Sequence, residues 1–239
     1  MTGRSRARDR SRPSGGSPPW TSARLSSLAF WYRADLGITL SGGSSVSAWA
    51  DQSGNGRHVT QGTGAAQPTL TTNATLGGRS VLSFDGGDRL VSSAFDLSNT
   101  LSLFFVLGSV TSRGMIAEHG LGTHWYAYST GNAAVFFLSH NTTQSPVTTW
   151  AQANQQGAVI YDRSAAPVIR GNRAVLTPTA TSGSPPVAGN VNAALAIGAR
   201  TDGSLPHNGQ IAEVIGYNRA VDAAEIALVE AYLLRRYGV

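Results

Sequence analysis

The stretch LSLFFVLGSV, residues 101–110, reads as a β-strand: its LFFVL centre sets β-branched and aromatic side chains side by side at strand length. The same texture recurs further along, in VFFL (135–138), VIY (159–161) and GQIAEVIGY (209–217). Between Leu28 and Tyr217 short apolar or alternating runs of this kind are separated by Gly, Asn, Asp, Ser and Pro. Three of the separators, GNGR (54–57), DGGD (85–88) and RGNR (170–173), are turn chemistry, because Gly and Asn accept positive φ. Many short strands punctuated in this way predict a sandwich or barrel. Strict alternation in the last run places Ile211, Glu213 and Ile215 on one strand face. A charged Glu213 among apolar neighbours needs a partner if buried, and a structural role bonded to arginine or backbone is expected.

One helix is signalled, from about 222 to 237. Asp222 precedes Glu225 by three, the pattern of a capping box. Ile226, Val229, Leu233 and Tyr237 share a face, Arg235 and Arg236 fall in the last turn, and Gly238 can end it.

The ends of the chain differ in character. Residues 1–24 hold six arginines and one aspartate, whereas the remainder holds 12 arginines and 12 acidic residues. All the net charge of +5 therefore sits on an N-terminal arm, and the body is neutral, so a basic nucleic-acid-binding domain is not expected. Residues 1–19 contain almost no apolar side chain, which predicts a flexible arm. Arg4, Arg6, Arg8, Arg10 and Arg12 recur at every second position, a spacing that suits an extended chain against an acidic surface, where arginine gives bidentate contacts. Docking on a protein assembly, electrostatic binding of nucleic acid and a merely solvated tail all fit this pattern. No apolar run of secretory-signal length follows the arginines, and no run of about 18 apolar residues exists, so no membrane span is expected. Cysteine is absent, which excludes disulfides and thiolate metal sites.

Several segments carry a resemblance. LAFWYRADLGITL (28–40), VSAWADQSGNGRHVTQ (46–61), QPTL (67–70) and SVLSFDGGDRL (80–90) resemble the opening of a laminin-G-like, concanavalin A-like jelly-roll domain. The segment LAIGARTDGSLPHNGQIAEVIGYNRAVDAAEIALVEAYLLRRYG (195–238) is similar to the close of that family. The resemblance covers about residues 25–239. It implies an all-β fold, an antiparallel two-sheet jelly-roll sandwich with one C-terminal helix, preceded by the flexible basic arm of residues 1–24. Such domains are frequent in tailed-phage structural proteins and in secreted bacterial proteins. The expectation is a virion protein, a head decoration, spike or tail-associated subunit. Its arm would dock on capsid or tail subunits, and its outward sandwich would bind host-surface polysaccharide, as a multimer on the particle. The alternative is a stand-alone, extracellular bacterial carbohydrate-binding module.

The residues also speak to chemistry. Hydrolases of this fold carry two carboxylates close together on one strand, as E-x-D-x-x-E or E-x-D-x-E, for acid and base or nucleophile. The glutamates here are Glu118, Glu213, Glu225 and Glu230, two of them on the predicted helix, so no strand carries the pair and no enzyme is expected. His119 and His124 are five apart, without a zinc pattern. No cofactor is implied. Calcium stays open, since Asp51, Asn55, Asp85 and Asp88 supply loop oxygens and relatives of the fold often bind it, although the plainer expectation is that these residues stabilise turns. For glycan binding the candidates are Trp125, Tyr126, Tyr128, His140 and Asn141, which combine aromatic faces with hydrogen-bonding groups; core packing is the competing role.

Overall fold

The structure is a computed structural model. It describes residues 25–112, 114–121, 124–129, 133–136, 138–140, 143–144, 148–151, 155–163, 167–177, 182–183 and 189–239. The described strands pair antiparallel throughout and stack as a sandwich, with one helix at the C-terminal end.

The first sheet is built around Asn208–Tyr217. On one side lies Leu101–Ser112, followed by Gln155–Tyr161, Val168–Gly171 and Ala174–Val175. On the other side two strands share the edge. Arg79–Asp85 pairs with residues 208–211, and Leu28–Arg33 pairs with residues 213–217. The second sheet runs from Ser45–Trp49 through Val59–Thr60, Leu90–Ser98, Asn190–Ile197 and Gly114–His119 to Trp125–Ser129.

The LFFVL run is apolar throughout because both of its faces are covered. Leu103, Phe105 and Leu107 join the core between the sheets, with Phe30, Trp49, Phe84 and Trp125. Phe104 and Val106 face the other way, into a second core with Ile215, Val229, Leu233 and Tyr237, where the helix lies on the sheet. The helix spans Ala223–Tyr237. Asp222 caps it in a full capping box with Glu225, and Gly238, at φ 77°, donates its N–H to the Leu234 carbonyl to close it. Val229, Leu233 and Tyr237 are buried as the periodicity predicts, and Ile226 packs against them.

Strict alternation fails in Asn208–Tyr217. The register against Leu101–Ser112 shifts between Ile211 and Glu213, where two residues oppose one. Ile211 and Val214 therefore point into the inter-sheet core, while Ala212, Glu213, Ile215 and Tyr217 serve the helix side. The expected shared face of Ile211 with Glu213 and Ile215 is corrected accordingly. Gly216 makes room on the inner side: a Cβ there would overlap the Phe30 ring.

Candidate functional site

The two-residue strand Val59–Thr60 pairs with Ser92 and Val91, so the loop before it is carried alongside Ser93, Ala94 and Phe95. Between them opens a cleft of about 330 Å³, lined by Asn55, Gly56, Arg57, His58, Ser93, Ala94 and Phe95. That size falls at the small end of ligand pockets, which run from roughly 300 to 1,000 Å³.

The loop wall is built from its own side chains. The buried Asp51 carboxylate accepts the N–H of Trp31 at 2.9 Å, of Ser53 at 2.9 Å and of Arg57 at 3.0 Å, and the Ser53 hydroxyl at 2.7 Å. Gly54 and Gly56 take φ of 88° and 70°, which lets the chain turn that tightly. Asn55 Nδ2 donates to the carbonyls of Leu28 at 2.8 Å and Ala29 at 2.9 Å, clasping the loop to the first strand. The Tyr32 hydroxyl donates to the Arg57 carbonyl. The turn role expected for Asp51 and Asn55 is thus seen directly. Asp85 and Asp88 behave alike, accepting the N–H groups of Gly87 and Asp85 at 2.8 and 2.9 Å. Among the described residues, no group of three or more His, Asp or Glu is placed to hold a metal ion.

Two side chains of this loop face the cleft. The Arg57 guanidinium lies over the Phe95 ring, 4.2 Å from its centroid, and Nη1 donates to the Ala29 carbonyl at 3.0 Å. Burial lowers its pKa somewhat, without threatening its charge. His58 Nδ1 accepts the Asp51 N–H at 3.0 Å, which makes Nε2 the protonated nitrogen of the neutral ring.

Beneath Phe95 an aromatic layer stiffens the floor. The His119 ring lies 5.1 Å from Phe95 and stacks on Trp125 at 6.2 Å. His119 Nε2 sits 3.1 Å from the Phe95 carbonyl, which can only accept, so Nε2 carries the proton. His119 Nδ1 is then the acceptor for His124 Nδ1, 2.6 Å away. Desolvation holds the His119 pKa down to about 4, so this ring is neutral near pH 7.

Of the residues expected to meet glycan, Trp125 is 1% exposed and stacks between Phe30 and His119. Its ring is core packing, which corrects the expectation that it offers a sugar platform. Tyr126 and Tyr128 lie on Trp125–Ser129, Tyr126 opposite Glu118 and Ser139; His140 lies on Leu138–His140, opposite Thr143. Asn141 lies outside the described residues, as do Arg4, Arg6, Arg8, Arg10 and Arg12. The sequence alone does not mark Arg57, His58 and Phe95 as binding residues, since only the fold brings them together. GNGR reads only as a turn, and Phe95 lies on Leu90–Ser98 among small and polar residues that do not single it out.

All four glutamates are engaged. Glu118, fully buried, lies 3.0 Å from Arg200 Nε. Glu230 takes a two-pronged contact from Arg170 at 2.6 and 3.0 Å, and Glu225 one from Arg219 at 2.6 and 2.7 Å. Glu213 accepts Trp31 Nε1 at 2.7 Å, the Tyr232 hydroxyl at 2.9 Å and the Tyr237 hydroxyl at 2.7 Å. Its expected structural role holds, with aromatic donors as the main partners; Arg236 Nε stands 3.7 Å away.

No protein-family model and no curated protein sequence matches the chain. Solved structures do. An arabinofuranosidase complexed with arabinofuranosyl-α-1,2-xylobiose superposes with a TM-score of 0.59 at 15% identity, over 81% of this chain and 51% of that one. The binding domain of botulinum neurotoxin serotype D/C gives 0.53 at 11% identity, over 87% and 52%. A botulinum neurotoxin type C structure, described as depending on two ganglioside molecules for cell entry, gives 0.54 at 11%, over 87% and 51%. The chain spans about half the length of these structures. At such identities the likeness is one of fold, an antiparallel β-sandwich.

Proposed function

We propose that this chain is a non-catalytic, glycan-binding β-sandwich, and that its ligand enters the cleft between the Asp51–His58 loop and Ser93–Phe95. The observation that carries this reading is the construction of the cleft. An arginine, a histidine and a serine hydroxyl surround a half-buried aromatic ring, and the loop that presents them is fixed by Asp51 and Asn55. Sugar sites need hydrogen-bonding groups at set positions beside an apolar face. A binding role is favoured over catalysis because no carboxylate lines the cleft and every glutamate is engaged elsewhere. The sandwich likeness to a glycosidase and to toxin binding domains agrees with such a ligand class. The test is a glycan array probed with the full-length chain, followed by titration of any hit against Phe95→Ala. Binding that drops with Phe95 supports the reading; a folded chain that binds no glycan overturns it.

The setting we propose is a virion surface, with extracellular release as a stand-alone module as the second reading. What favours the virion is the charge separation: the whole surplus of five positive charges lies in residues 1–24, ahead of a neutral body. Such a segment suits docking on an acidic neighbour. Quantitative mass spectrometry of purified particles should find the chain in fixed stoichiometry with the shell protein, and deletion of residues 1–24 should release it. A chain absent from particles would leave the free module.

A further inference from the structure

Arg57 is a half-buried cation whose guanidinium makes no close ion pair. Among the described residues no carboxylate lies within ion-pairing distance of it. Asp51 attracts the Arg57 charge from a distance, but its two oxygens are spent on the N–H groups of Trp31, Ser53 and Arg57 and on the Ser53 hydroxyl. Asp96 influences Arg57 only through longer-range attraction, and accepts Asn192 Nδ2 at 3.0 Å instead. Most arginines placed as deeply in this chain find a carboxylate: Arg33, Arg170, Arg200 and Arg236 all do. Holding a charge partly out of water with no carboxylate in direct contact is unfavourable. The ring of Phe95 and the carbonyl of Ala29 fix the guanidinium from two sides, leaving the rest of its donor fork toward the cleft.

The remaining lining is also rich in donors. His58 offers Nε2–H because its Nδ1 is occupied by Asp51. Ser93 is exposed on the facing wall. The Asn55 amide hydrogens are already taken by Leu28 and Ala29. A neutral sugar's hydroxyls accept single hydrogen bonds from the guanidinium and leave its charge uncompensated. A carboxylate would take the guanidinium in a two-pronged contact and satisfy it.

Resting on the glycan reading above, we infer that the cleft selects an acidic saccharide, with the carboxylate of a uronic-acid-type sugar seated on Arg57. The experiment is calorimetric titration of the full chain with a galacturonic acid oligomer and with the same oligomer as its methyl ester. The two share shape and hydroxyls and differ in charge. The acid should bind at least about tenfold more tightly, and raising NaCl from about 0.05 to 0.5 M should erode that preference. Arg57→Gln should abolish the preference. Arg57→Lys should retain part of it, since the charge stays while the planar fork is lost. Ser93→Glu, an exposed change that spares the Arg57–Ala29 contact, should place a carboxylate across the cleft and block the acid. Equal binding of acid and ester, or a preference that survives Arg57→Gln or Ser93→Glu, overturns the inference and leaves glycan binding standing. A folded chain that binds neither oligomer, nor any glycan on the array, removes both. Thermal melts of each variant separate lost folding from lost binding.

Discussion

The indole N–H of Trp31 donates to Oε1 of Glu213 at 2.7 Å, tying the first strand to a carboxylate buried beneath the C-terminal helix. Two helix hydroxyls, those of Tyr232 and Tyr237, meet the same carboxylate. One side chain thus collects three donors from two segments, the first strand and the helix, and sets the seat of the helix. The backbone N–H of Trp31 meanwhile reaches Asp51, which orders the cleft loop. Strand Leu28–Arg33 therefore connects helix packing to the geometry of the candidate site.

Glu213→Leu should destabilise the chain strongly, because it leaves three buried donors unpaired at about 1–3 kcal/mol each. A total loss of about 3 kcal/mol or more is expected in urea denaturation. Glu213→Gln keeps an acceptor at the same place and should cost about 1 kcal/mol. Burial pushes the Glu213 pKa upward, although the donors pull against it. A raised folded-state value means its contribution is greatest at low pH and declines as pH rises through that value. The gap between wild type and Gln should accordingly narrow, not widen, toward alkaline pH. A Leu variant as stable as wild type would remove the seat argument.

Gly216→Ala should act through packing. A Cβ at Gly216 falls inside the contact radius of the Phe30 ring, which is itself 1% exposed and stacked against Tyr32 and Trp125. Overpacking of this kind costs about 1–3 kcal/mol. Phe30→Leu alone should also destabilise, by opening a cavity. The double variant should lose less than the sum of the two, since the smaller side chain clears the added methyl. Strict additivity of the denaturation energies would count against the contact.

How much of this was legible in the sequence depends on the range of each signal. The helix is legible because Asp222, Glu225, Gly238 and the 226–237 periodicity all act within a few residues. The strand LFFVL is legible for the same reason, as are the turns around Gly54 and Gly86. The bulge at Ile211–Glu213 is not, because it exists only in the register against another strand. The cleft is hidden for a related cause. Arg57 meets Phe95 through the two-residue strand Val59–Thr60, too short to announce itself, and through the far end of Leu90–Ser98, where Ala94, Asp96 and Ser98 carry little strand propensity. Trp125 misleads for the opposite reason: an aromatic beside tyrosines suggests a surface platform, while its ring is sandwiched by Phe30 from the first strand and His119 from the neighbouring strand.

Asp222→Ala tests the helix boundary. It removes the acceptor for the Glu225 N–H at 2.9 Å and should cost about 1 kcal/mol. Glu225 adds a pH signature. Arg219 and the Asp222 N–H hold its pKa down to about 2, below the usual 4.5. That contribution is present above pH 4.5 and lost as pH falls through about 2. Because the pair is only partly shielded from solvent, the effect is small and should fade with salt. NMR titration of the Glu225 side chain in wild type and Arg219→Gln reads it directly: the variant should titrate closer to 4.5, and an unchanged value would deny the pairing.

His207 should make the sandwich acid-sensitive. It is fully buried, in edge contact with Phe84, and neither ring nitrogen has a hydrogen-bond partner among the described residues. Burial alone lowers its pKa from 6.5 to about 4. The unfolded chain then binds the proton first as the solution is acidified. Stability is at its full value above pH 6.5 and is lost progressively down to about pH 4, where the folded state also takes the proton. At pH 4.5 the penalty is roughly 2 kcal/mol. His207→Leu removes the imidazole at similar bulk and should flatten this part of the curve. Relative to its own stability at pH 7, the variant should lose roughly 2 kcal/mol less than wild type on passing to pH 4.5. His119, with a pKa of about 4 held by burial and by the nearby Arg57, supplies a second acid-sensitive step that remains in the variant. Urea denaturation of both proteins from pH 7 to 4 measures the two slopes. Parallel slopes would place the acid sensitivity elsewhere, and a variant less steep by the stated amount assigns it to the buried imidazole beside Phe84.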